Sequence, residues 1–561
     1  MCGIFFVYGS PNVSACLEGC MTLKERGPDQ TTIMFDTDTF MGFQRLKIND
    51  LTDAGNQPMY CPWTETFLLC NGEIYNCQEL KKKFKLPCKS DSDCESIISL
   101  YSEMNSPSNH MKTDDVLLKF ANSFDGEFAF VIHNKDDNEI IACRDPYGVR
   151  PLFYYISNVG TPDFQVGFAS ELKALLKVAP DASLIKQFPP GTIMRIDLYP
   201  ESYRQRCDHV VTTHTYAKLP IPYTTETNEE DALLLIRDSF TQAVCKRLMS
   251  ERQVASLLSG GLDSSLVASI VARHIAPEKL ETFCIGIKGS TDLYYAKLVA
   301  EHIGSNHHSI EVSEDVFLNA IEETIRTIES YDITSVRASV GNLLVSKYIA
   351  ENSDCKVIFN GDFSDEVVSG YMYFKNAPSA DELHKESTRL LKDICYFDSL
   401  RSDRTISSQG LEARVPFSDR EFVKTYMSID PKLRMCNDKI EKYLLRKAFA
   451  DENLLPNEVL WRYKTAFSDG VSSPDSSWHK VVQKYIDTKI SDDEFLQSKG
   501  QYTHNQPQTK EAYYYRKVFE TFYPGMSHVI PYFWLPKWCG TQTDPSAREL
   551  EVCKEHLVSQ N

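Results

Sequence analysis

The sequence has 561 residues, of which 42% are hydrophobic and 25% charged, a composition typical of a soluble globular protein with about two to four domains. Its formal net charge of −18 argues against nucleic acid or an acidic membrane surface as the main partner. No segment approaches the roughly 18 unbroken apolar residues of a membrane-spanning helix. The 17 cysteines include no C-x-x-C pair and indicate reduced thiols, so we expect a cytoplasmic protein.

Cys2 is the first candidate nucleophile along the chain. Cysteine is small enough for Met1 to be removed, which would leave a thiol and a free α-amine on one residue. That amine, with an ordinary pKa near ~8, can act as a local base for its own side chain. Most cysteines are structural, so Cys2 becomes a catalytic candidate only through the segments that come after it.

Those segments place polar residues at predicted strand ends and turns. A strand-like run over 40–46 includes Arg45. The next predicted strand, from residue 68, leads into Asn71 and Gly72, whose side-chain amide and unobstructed backbone N–H are the two donor types of an oxyanion hole. The run 92–95 predicts a helix start, with Ser92 as its cap and acids in the first turn.

Six segments in this order resemble the glutaminase domain of the class II amidotransferases: M-C-G-I, R-G-P-D, N-G-E-I-Y-N, F-D-G-E-F-A-F, R-D-x-x-G-x-R-P-L and S-E-x-K-A-L. The resemblance implies an N-terminal-nucleophile hydrolase fold, a four-layer sandwich of two antiparallel sheets between helix layers. It also implies that Cys2 attacks the side-chain amide of glutamine and frees ammonia. The implied glutamine-binding residues are Arg45 for the carboxylate, Asn71 and Gly72 for the oxyanion, and Glu73 and Asp93 for the α-ammonium. Gln44 stands where this family usually carries His, with little expected effect because Arg45 is present.

The chain becomes irregular and polar over about 199–231, where we place a domain boundary. After a predicted helix over 232–247, a buried strand over 254–258 leads into S-G-G-L-D-S-S and a helix over 266–275. A glycine-rich turn at a helix N-terminus favours an anion. Gly260 and Gly261 let the backbone approach a phosphate closely. The turn also contains three candidate hydrogen-bond donors, Ser259, Ser264 and Ser265. Its acid, Asp263, suits a phosphate site only if a divalent cation lies between the carboxylate and the phosphates.

This turn is not a Walker A loop, because no G-K-[ST] follows. It resembles the pyrophosphate-binding loop of the ATP pyrophosphatases, which cleave ATP between the α and β phosphates. Further strands are predicted over 280–287, 306–312 and 357–360, and their alternation with helices predicts a parallel sheet with ligands at the carboxyl ends of its strands. Leu258 and Ile285, at two such ends, would flank adenine, although plain core packing is nearly as good an interpretation.

The last of these strands leads into N-G-D-F-S-D-E, which begins at Asn360 and Gly361. Acids at the end of a strand, beside a nucleotide loop, suggest a metal and a proton acceptor. Asp263 and Asp365 are the pair that we predict to hold Mg²⁺ on the phosphates.

Blocks over nearly the whole chain resemble the glutamine-hydrolysing asparagine synthetases, including G-L-E-A-R-V-P-F from 410, L-W-R-Y-K-T-A-F-S-D-G from 460 and Y-Y-Y-R from 513. The resemblance implies a glutaminase domain over 2–200, a linker over 201–230 and a synthetase domain over 231–561 with a helical C-terminal part. It implies ATP, L-aspartate and glutamine as substrates, a β-aspartyl-AMP intermediate, AMP and pyrophosphate as products, and a homodimer. Lys464 matches the basic residue near the phosphates, and Arg337 is a weaker candidate for binding substrate or phosphate.

One loop departs from the family pattern S-G-E-G-S-D-E. Asp362 replaces the glutamate that acts around the adenylate and is one methylene shorter, and a misplacement of ~1 Å can cost about a hundredfold in rate. Phe363 replaces a glycine, which matters if that position needs a positive φ. Three interpretations therefore stay open: an active asparagine synthetase with Asp362 as catalytic residue, a glutaminase that synthesises poorly or amidates another carboxylate, and an inactive nucleotide-binding partner subunit.

Overall fold

A computed structural model describes residues 1–105, 113–198, 209–436, 439–464, 470–472 and 477–546. Part of the predicted linker, 201–208, and residues 465–469 of the predicted phosphate-side block lie outside this described part. The chain forms two compact units. The first comprises Met1–Lys218, Met249–Arg252 and Ser407–Glu412, and the second comprises Leu219–Leu248, Gln253–Ile406 and the chain from Ala413 onward.

Two antiparallel sheets form the centre of the first unit. Their strands are β1 (Gly3–Tyr8), β2 (Gln30–Phe35), β3 (Thr39–Arg45), β4 (Met59–Cys61), β5 (Thr66–Ile74), β6 (Gly126–Asn134), β7 (Glu139–Arg144), β8 (Phe153–Ser157), β9 (Gln165–Ala169), β10 (Lys186–Gln187), β11 (Thr192–Asp197) and β12 (Val210–Thr215). One sheet has the order β10-β8-β9-β1-β3-β2 and the other β12-β11-β7-β6-β5-β4. Apolar side chains of both sheets, among them Phe6, Phe43, Val131 and Phe168, form one buried core between them.

Helices cover the outer faces of these sheets. They are α1 (Val13–Met21), α2 (Cys77–Phe84), α3 (Glu95–Met104), α4 (Asp114–Asn122) and α5 (Leu172–Leu175). Helices α1 and α5 pack on the sheet of β1, while α2, α3 and α4 share a second buried core with β5 and β6. Because β1 is covered on both faces, its residues are apolar without alternation, as in G-I-F-F-V-Y. The predicted four-layer sandwich is confirmed.

Three local predictions in this unit were wrong. The strand predicted to end at residue 70 continues through Asn71 and Gly72, and β5 pairs with β6 along its whole length. Residue Cys94, not Ser92, flanks the start of α3, and no side chain caps it. Residues 210–215, predicted as irregular, pair with β11 as β12 because V-V-T-T-H-T is rich in β-branched residues that favour strands.

A five-stranded sheet organises the second unit. Its strands are β13 (Val254–Leu257), β14 (Glu281–Ile287), β15 (Asn306–Val312), β16 (Val357–Phe359) and β17 (Glu412–Arg414), in the order β15-β14-β13-β16-β17. The pairs β15-β14, β14-β13 and β13-β16 are parallel, as predicted. The order reverses at β13, so the carboxyl ends of β13, β14 and β16 share one edge, where a doubly wound sheet binds its ligand.

Helices surround this sheet and make up most of the C-terminal part. They are α6 (Glu229–Lys246), α7 (Leu262–Ile275), α8 (Thr291–Ile303), α9 (Glu314–Asn319), α10 (Ile321–Ile328), α11 (Ile333–Asn352), α12 (Ser364–Val367), α13 (Ala380–Asp393), α14 (Asp398–Ser407), α15 (Arg420–Ser428), α16 (Pro431–Arg434), α17 (Tyr443–Ala448), α18 (Asn457–Leu460), α19 (Trp478–Lys489), α20 (Asp492–Gln497) and α21 (Lys510–Phe522). None of the helices in the described ranges is long and apolar enough to cross a membrane.

Candidate active site

Cys2 lies directly before β1, in a position fixed by a buried arginine. Arg26 donates from Nε to the carbonyl oxygen of Cys2 at 2.9 Å and from Nη1 to Glu171 Oε1 at 2.7 Å. The Arg26 side chain is 1% exposed, so this ion pair is shielded from solvent. Arg26 is thus a positioning residue that sequence reasoning recorded only as part of R-G-P-D.

The chain that retains Met1 does not present a reactive thiol. The Cys2 Sγ lies 3.7 Å from the carbonyl oxygen of Leu46, and burial raises the pKa of the thiol to about 11. The Met1 amine donates to the carbonyl oxygen of Leu411 at 3.1 Å, and burial lowers its pKa to about 6. Since a thiolate is the reactive form of cysteine, the role predicted for Cys2 calls for the α-amine that this residue would gain on removal of Met1.

Asn71 is the clearest sign of a ligand in the first unit. It lies in β5, which packs against β1, and its side chain is 0% exposed. Both Nδ2 and Oδ1 lack a hydrogen-bond partner within the described ranges. Because buried amides are normally paired, this one is ready to bond a bound molecule. At the next residue, Gly72, a Cβ would lie 2.3 Å from the carbonyl oxygen of Glu127, so only glycine fits this strand pairing.

The other predicted glutamine-binding residues are buried and held by defined partners. Arg45 donates from Nη1 to the carbonyl oxygen of Thr52 at 2.7 Å and from Nη2 to that of Asp50. Asn49 donates from Nδ2 to Glu73 Oε2 at 2.6 Å and lies 3.4 Å from Asp93 Oδ1. Asn49 therefore links the two acids predicted to bind an ammonium group, a role that sequence reasoning missed because Asn49 lies in a loop without a motif.

Gln44, the departure noted from the sequence, has its hydrogen bonds satisfied locally. Its Oε1 accepts from Thr31 Oγ1 at 2.7 Å, and its Nε2 donates to the carbonyl oxygen of Cys20 at 3.2 Å. The neighbouring Arg45 keeps its own contacts, so nothing at this position disturbs the predicted site.

In the second unit, a cleft lies at the carboxyl ends of the parallel strands. Apolar residues Leu258, Phe283 and Ile285 line one side of it. Nine residues predicted from the sequence line it, namely Ser259, Gly261, Asp263, Ser264, Asn360, Gly361, Asp362, Asp365 and Lys464. Further polar lining residues that were not predicted as site residues include Asp292, Asn342, Tyr371, Asp398 and Arg401. Two predicted residues do not line it: the Ser265 side chain is 0% exposed, and Gly260 faces α8.

The phosphate loop is closely fitted to its neighbours. Gly260 has φ +70°, and a Cβ there would lie 2.4 Å from the backbone nitrogen of Ala296. The hydroxyls of Ser259 and Ser264 lie 2.9 Å apart across the turn. Gly361 approaches α7 so closely that a Cβ would lie 2.7 Å from the Ser264 nitrogen. Both glycines are therefore required by close backbone approach.

The altered loop holds Asp362 through an arginine on α14. Arg401 donates from Nη2 to Asp362 Oδ1 at 2.6 Å and from Nε to Asp398 Oδ1 at 2.9 Å. The second carboxylate oxygen, Asp362 Oδ2, is buried and has no hydrogen-bond partner in the part of the chain described. Asp362 lines the cleft and keeps one carboxylate oxygen without a hydrogen bond in the described residues. Arg401 was not predicted, since no sequence spacing links it to residue 362.

Phe363 adopts the backbone conformation that a glycine would normally supply. Its φ is +74°, its side chain is 1% exposed, and it flanks the start of α12. A left-handed conformation costs a non-glycine residue about 1–2 kcal/mol. Burial of the phenyl ring offsets this strain.

The two acids predicted to hold Mg²⁺ converge on a lysine. Asp263 Oδ2 and Asp365 Oδ1 each lie 2.6 Å from Lys442 Nζ, and Asp365 Oδ2 contacts Lys464 Nζ. Although burial opposes it, the two ammonium groups lower the pKa of Asp365. The described residues contain no group of three or more metal-ligating side chains. Because Mg²⁺ commonly uses one or two carboxylates together with phosphates and water, the pair fits an ion that arrives with a nucleotide.

A buried carboxyl pair lies beside this cluster. The Tyr371 hydroxyl is 2.6 Å from Glu366 Oε1 and 2.9 Å from Asp398 Oδ2. Burial, followed by the neighbouring Asp398, raises the pKa of Glu366 well above its usual range. One phenol proton cannot be donated to both carboxylates at once, and the raised pKa of Glu366 favours its protonated form.

Arg337, the weaker candidate from the sequence, is not among the residues that line the cleft. Its guanidinium pairs with Glu511 at 2.6 Å and with Asp544 at 2.8 Å, and its side chain is 3% exposed. It therefore joins α11 to the C-terminal part of the unit.

Comparisons with known proteins match this chain over nearly its whole length. The family model for a glutamine amidotransferase domain matches residues 1–195, and the model for asparagine synthase matches residues 235–382 and 375–539. An asparagine synthetase (glutamine-hydrolysing) from Gallus gallus is 41% identical over 99% of this chain and 100% of its own length. The proteins of the same name from Rattus norvegicus and Homo sapiens are 39% and 38% identical, each over 98% of both chains.

Proposed function

The chain belongs to the glutamine-hydrolysing asparagine synthetases, and from that premise we propose how its own residues divide the reaction. It is a carbon–nitrogen ligase that makes L-asparagine from L-aspartate with ATP, using ammonia released from glutamine. Ammonia release is the task of the first unit, and aspartate activation is the task of the second.

We propose that the first unit hydrolyses glutamine. With Met1 removed, the Cys2 α-amine takes the thiol proton, and Sγ attacks the side-chain amide carbon to give a thioester, while that proton passes to the leaving nitrogen and ammonia departs. Water then hydrolyses the thioester, which releases glutamate and restores the thiol. Asn71 Nδ2 and the Gly72 N–H stabilise the oxyanion. Arg45 binds the substrate carboxylate, and Glu73 and Asp93 bind its α-ammonium. The observation that supports this assignment is the buried, unpartnered amide of Asn71.

The second unit activates aspartate in the cleft. Leu258 and Ile285 flank the adenine, and Ser259, Gly261 and Ser264 bind the phosphates together with Asn360 and Gly361. The aspartate side-chain carboxylate attacks the α-phosphorus, pyrophosphate leaves, and ammonia then displaces AMP from β-aspartyl-AMP. Lys464 carries positive charge where negative charge develops. Asp362, with its unbonded oxygen, is the catalytic carboxylate of this step.

Three finer assignments complete the proposal. Asp263 and Asp365 would hold Mg²⁺, which neutralises phosphate charge when it is bound with ATP. The chain acts in the cytoplasm, as its reduced cysteine content favours. It forms a homodimer, an assignment that rests on the family resemblance alone.

The decisive experiment measures asparagine, AMP and pyrophosphate formed from ATP, Mg²⁺, aspartate and ammonia without glutamine. We expect the wild-type chain to form all three and Asp362→Ala to lose at least about a hundredfold in rate. The exposed Asp451→Asn is the matched control and should keep full activity. A wild-type chain that hydrolyses glutamine but makes no asparagine would instead support a glutaminase with an impaired synthetase site, with Phe363 as the first suspect.

A further inference from the structure

Lys442 occupies the point at which Asp263 and Asp365 meet. Its Nζ lies 2.6 Å from Asp263 Oδ2, 2.6 Å from Asp365 Oδ1 and 3.1 Å from Ser364 Oγ. Its side chain is 2% exposed. Asp263 Oδ2 and Ser364 Oγ accept hydrogen bonds from this ammonium, and Asp365 Oδ1 forms an ion pair with it, so the protein itself neutralises the cation.

The surrounding backbone is shaped to keep this lysine in place. Lys442 has φ +57° and directly precedes α17, a left-handed conformation that a lysine adopts only at a cost. At Gly370, a Cβ would lie 2.0 Å from Lys442 Cε and 2.4 Å from Asp365 Oδ1. Any larger residue at 370 would push the ammonium away from the carboxylates. The strained backbone of Lys442 and the absence of a side chain at Gly370 thus both allow the contact between the Lys442 ammonium and the carboxylates.

The charges around this point balance. Asp263 and Asp365 contribute two negative charges, and Lys442 and Lys464 contribute two positive charges. A free divalent cation would have to displace a buried ammonium and would then face Lys464. ATP changes this balance, because its triphosphate brings new negative charge that both lysines can meet. A small cavity lined by Lys442, Arg462 and Lys464 adjoins the phosphate loop at Gly261.

We propose that Lys442 is a positioning residue that fills the metal position between Asp263 and Asp365 with a tethered cation, so that these carboxylates bind a divalent ion only when nucleotide is present. The proposal rests on the nucleotide-binding role proposed above for this cleft. It assigns Lys442 a task distinct from that of Lys464, which contacts only one of the two carboxylates.

The test measures binding of Mn²⁺ alone, by electron paramagnetic resonance of the full chain without nucleotide. Lys442→Met keeps the length of the side chain and removes its charge. We expect at least a tenfold gain in Mn²⁺ affinity over wild type, and loss of that gain when Asp263→Asn is added. Lys439→Met is the matched control, since Lys439 is 45% exposed and pairs with Glu229 rather than with the site. A circular-dichroism spectrum and a cooperative thermal unfolding transition like those of the wild type report that each variant is folded.

Gly370→Ala provides an independent variant, because it moves the ammonium while keeping every charge. We expect it to raise nucleotide-free Mn²⁺ binding in the same direction, and it carries the test if Lys442→Met does not fold. The proposal is overturned if folded Lys442→Met binds Mn²⁺ with unchanged affinity. If Lys442→Met does not fold, unchanged affinity in Gly370→Ala overturns it instead. Failure of the proposed function is a separate result, namely a wild-type chain that forms no asparagine.

Discussion

Arg401 holds Asp362 at 2.6 Å and Asp398 at 2.9 Å through two different nitrogens of one guanidinium. The planar fork of arginine fixes two carboxylates at once, whereas a lysine ammonium is a single flexible point charge. Asp362 is one methylene shorter than the glutamate of the family pattern, so its position depends on how firmly it is anchored. The anchor is therefore part of the proposed catalytic site.

We expect Arg401→Lys to slow aspartate-dependent ATP–pyrophosphate exchange about a hundredfold, because Asp362 loses its fixed position. Glutamine hydrolysis should be unchanged, since it depends on the first unit. Arg273→Lys is the control, as Arg273 is 49% exposed and pairs with Glu452 away from the cleft. Exchange at the wild-type rate in Arg401→Lys would show that the position of Asp362 does not limit activation.

Phe363 allows a prediction about the sign of a stability difference. Removing the ring should destabilise the protein by about 3–5 kcal/mol in either Phe363→Ala or Phe363→Gly. A glycine variant is normally less stable than an alanine variant at the same position. At φ +74°, however, glycine is free of the backbone strain that alanine keeps. We expect Phe363→Gly to be more stable than Phe363→Ala by about 1 kcal/mol, measured by urea unfolding. The opposite order would mean that the backbone changes conformation in the variants.

Cys2→Ala should abolish glutamine hydrolysis and glutamine-dependent asparagine formation. Synthesis from added ammonia should persist, because the cleft of the second unit is intact. Cys61→Ala, a substitution of a half-buried thiol in the same unit, should leave both activities unchanged. A chain whose Met1 is retained behind an N-terminal extension should behave like Cys2→Ala, since its thiol pKa is raised to about 11.

The buried carboxyl of Asp332 makes the free energy of unfolding depend on pH. Burial raises the pKa of this carboxyl from 3.8 to about 6, so the folded chain binds the proton more tightly than the unfolded chain. Its stabilising contribution is complete below about pH 4 and is lost as the pH rises through 6. Two pKa units correspond to about 3 kcal/mol.

Asp332→Asn keeps an acceptor for the Ser335 N–H at the start of α11 but cannot ionise. Its free energy of unfolding, relative to wild type, should therefore increase by up to about 3 kcal/mol between pH 4 and pH 7, as measured by urea unfolding at each pH. The exposed Asp315→Asn serves as the control for removing a carboxyl group elsewhere in the same unit. A constant difference for Asp332→Asn would contradict the raised pKa.

The sequence by itself determined the elements whose causes are local. The apolar run of β13, the glycine-rich turn and the periodic α7 follow one another without interruption, so the phosphate loop could be placed from residues 254–275 alone. The order of motifs also determined the family, because each motif has its own spacing. Buried strands and amphipathic helices are recognised from the pattern of residues that lie close together in the sequence, so they can be predicted without the tertiary structure.

Only the tertiary structure decided which distant side chains meet. Arg401 reaches Asp362 across 39 positions, and Lys442 reaches Asp263 across 179. No periodicity links such positions, because their proximity results from the packing of α14 and of the segment before α17 against the sheet edge. The positive φ of Phe363 could not be predicted from the sequence either, because a phenylalanine rarely adopts this backbone conformation. The motifs alone thus identified the phosphate loop and its acids. The packing of the fold determined which cations, Arg401 and Lys442, lie beside those acids and position them.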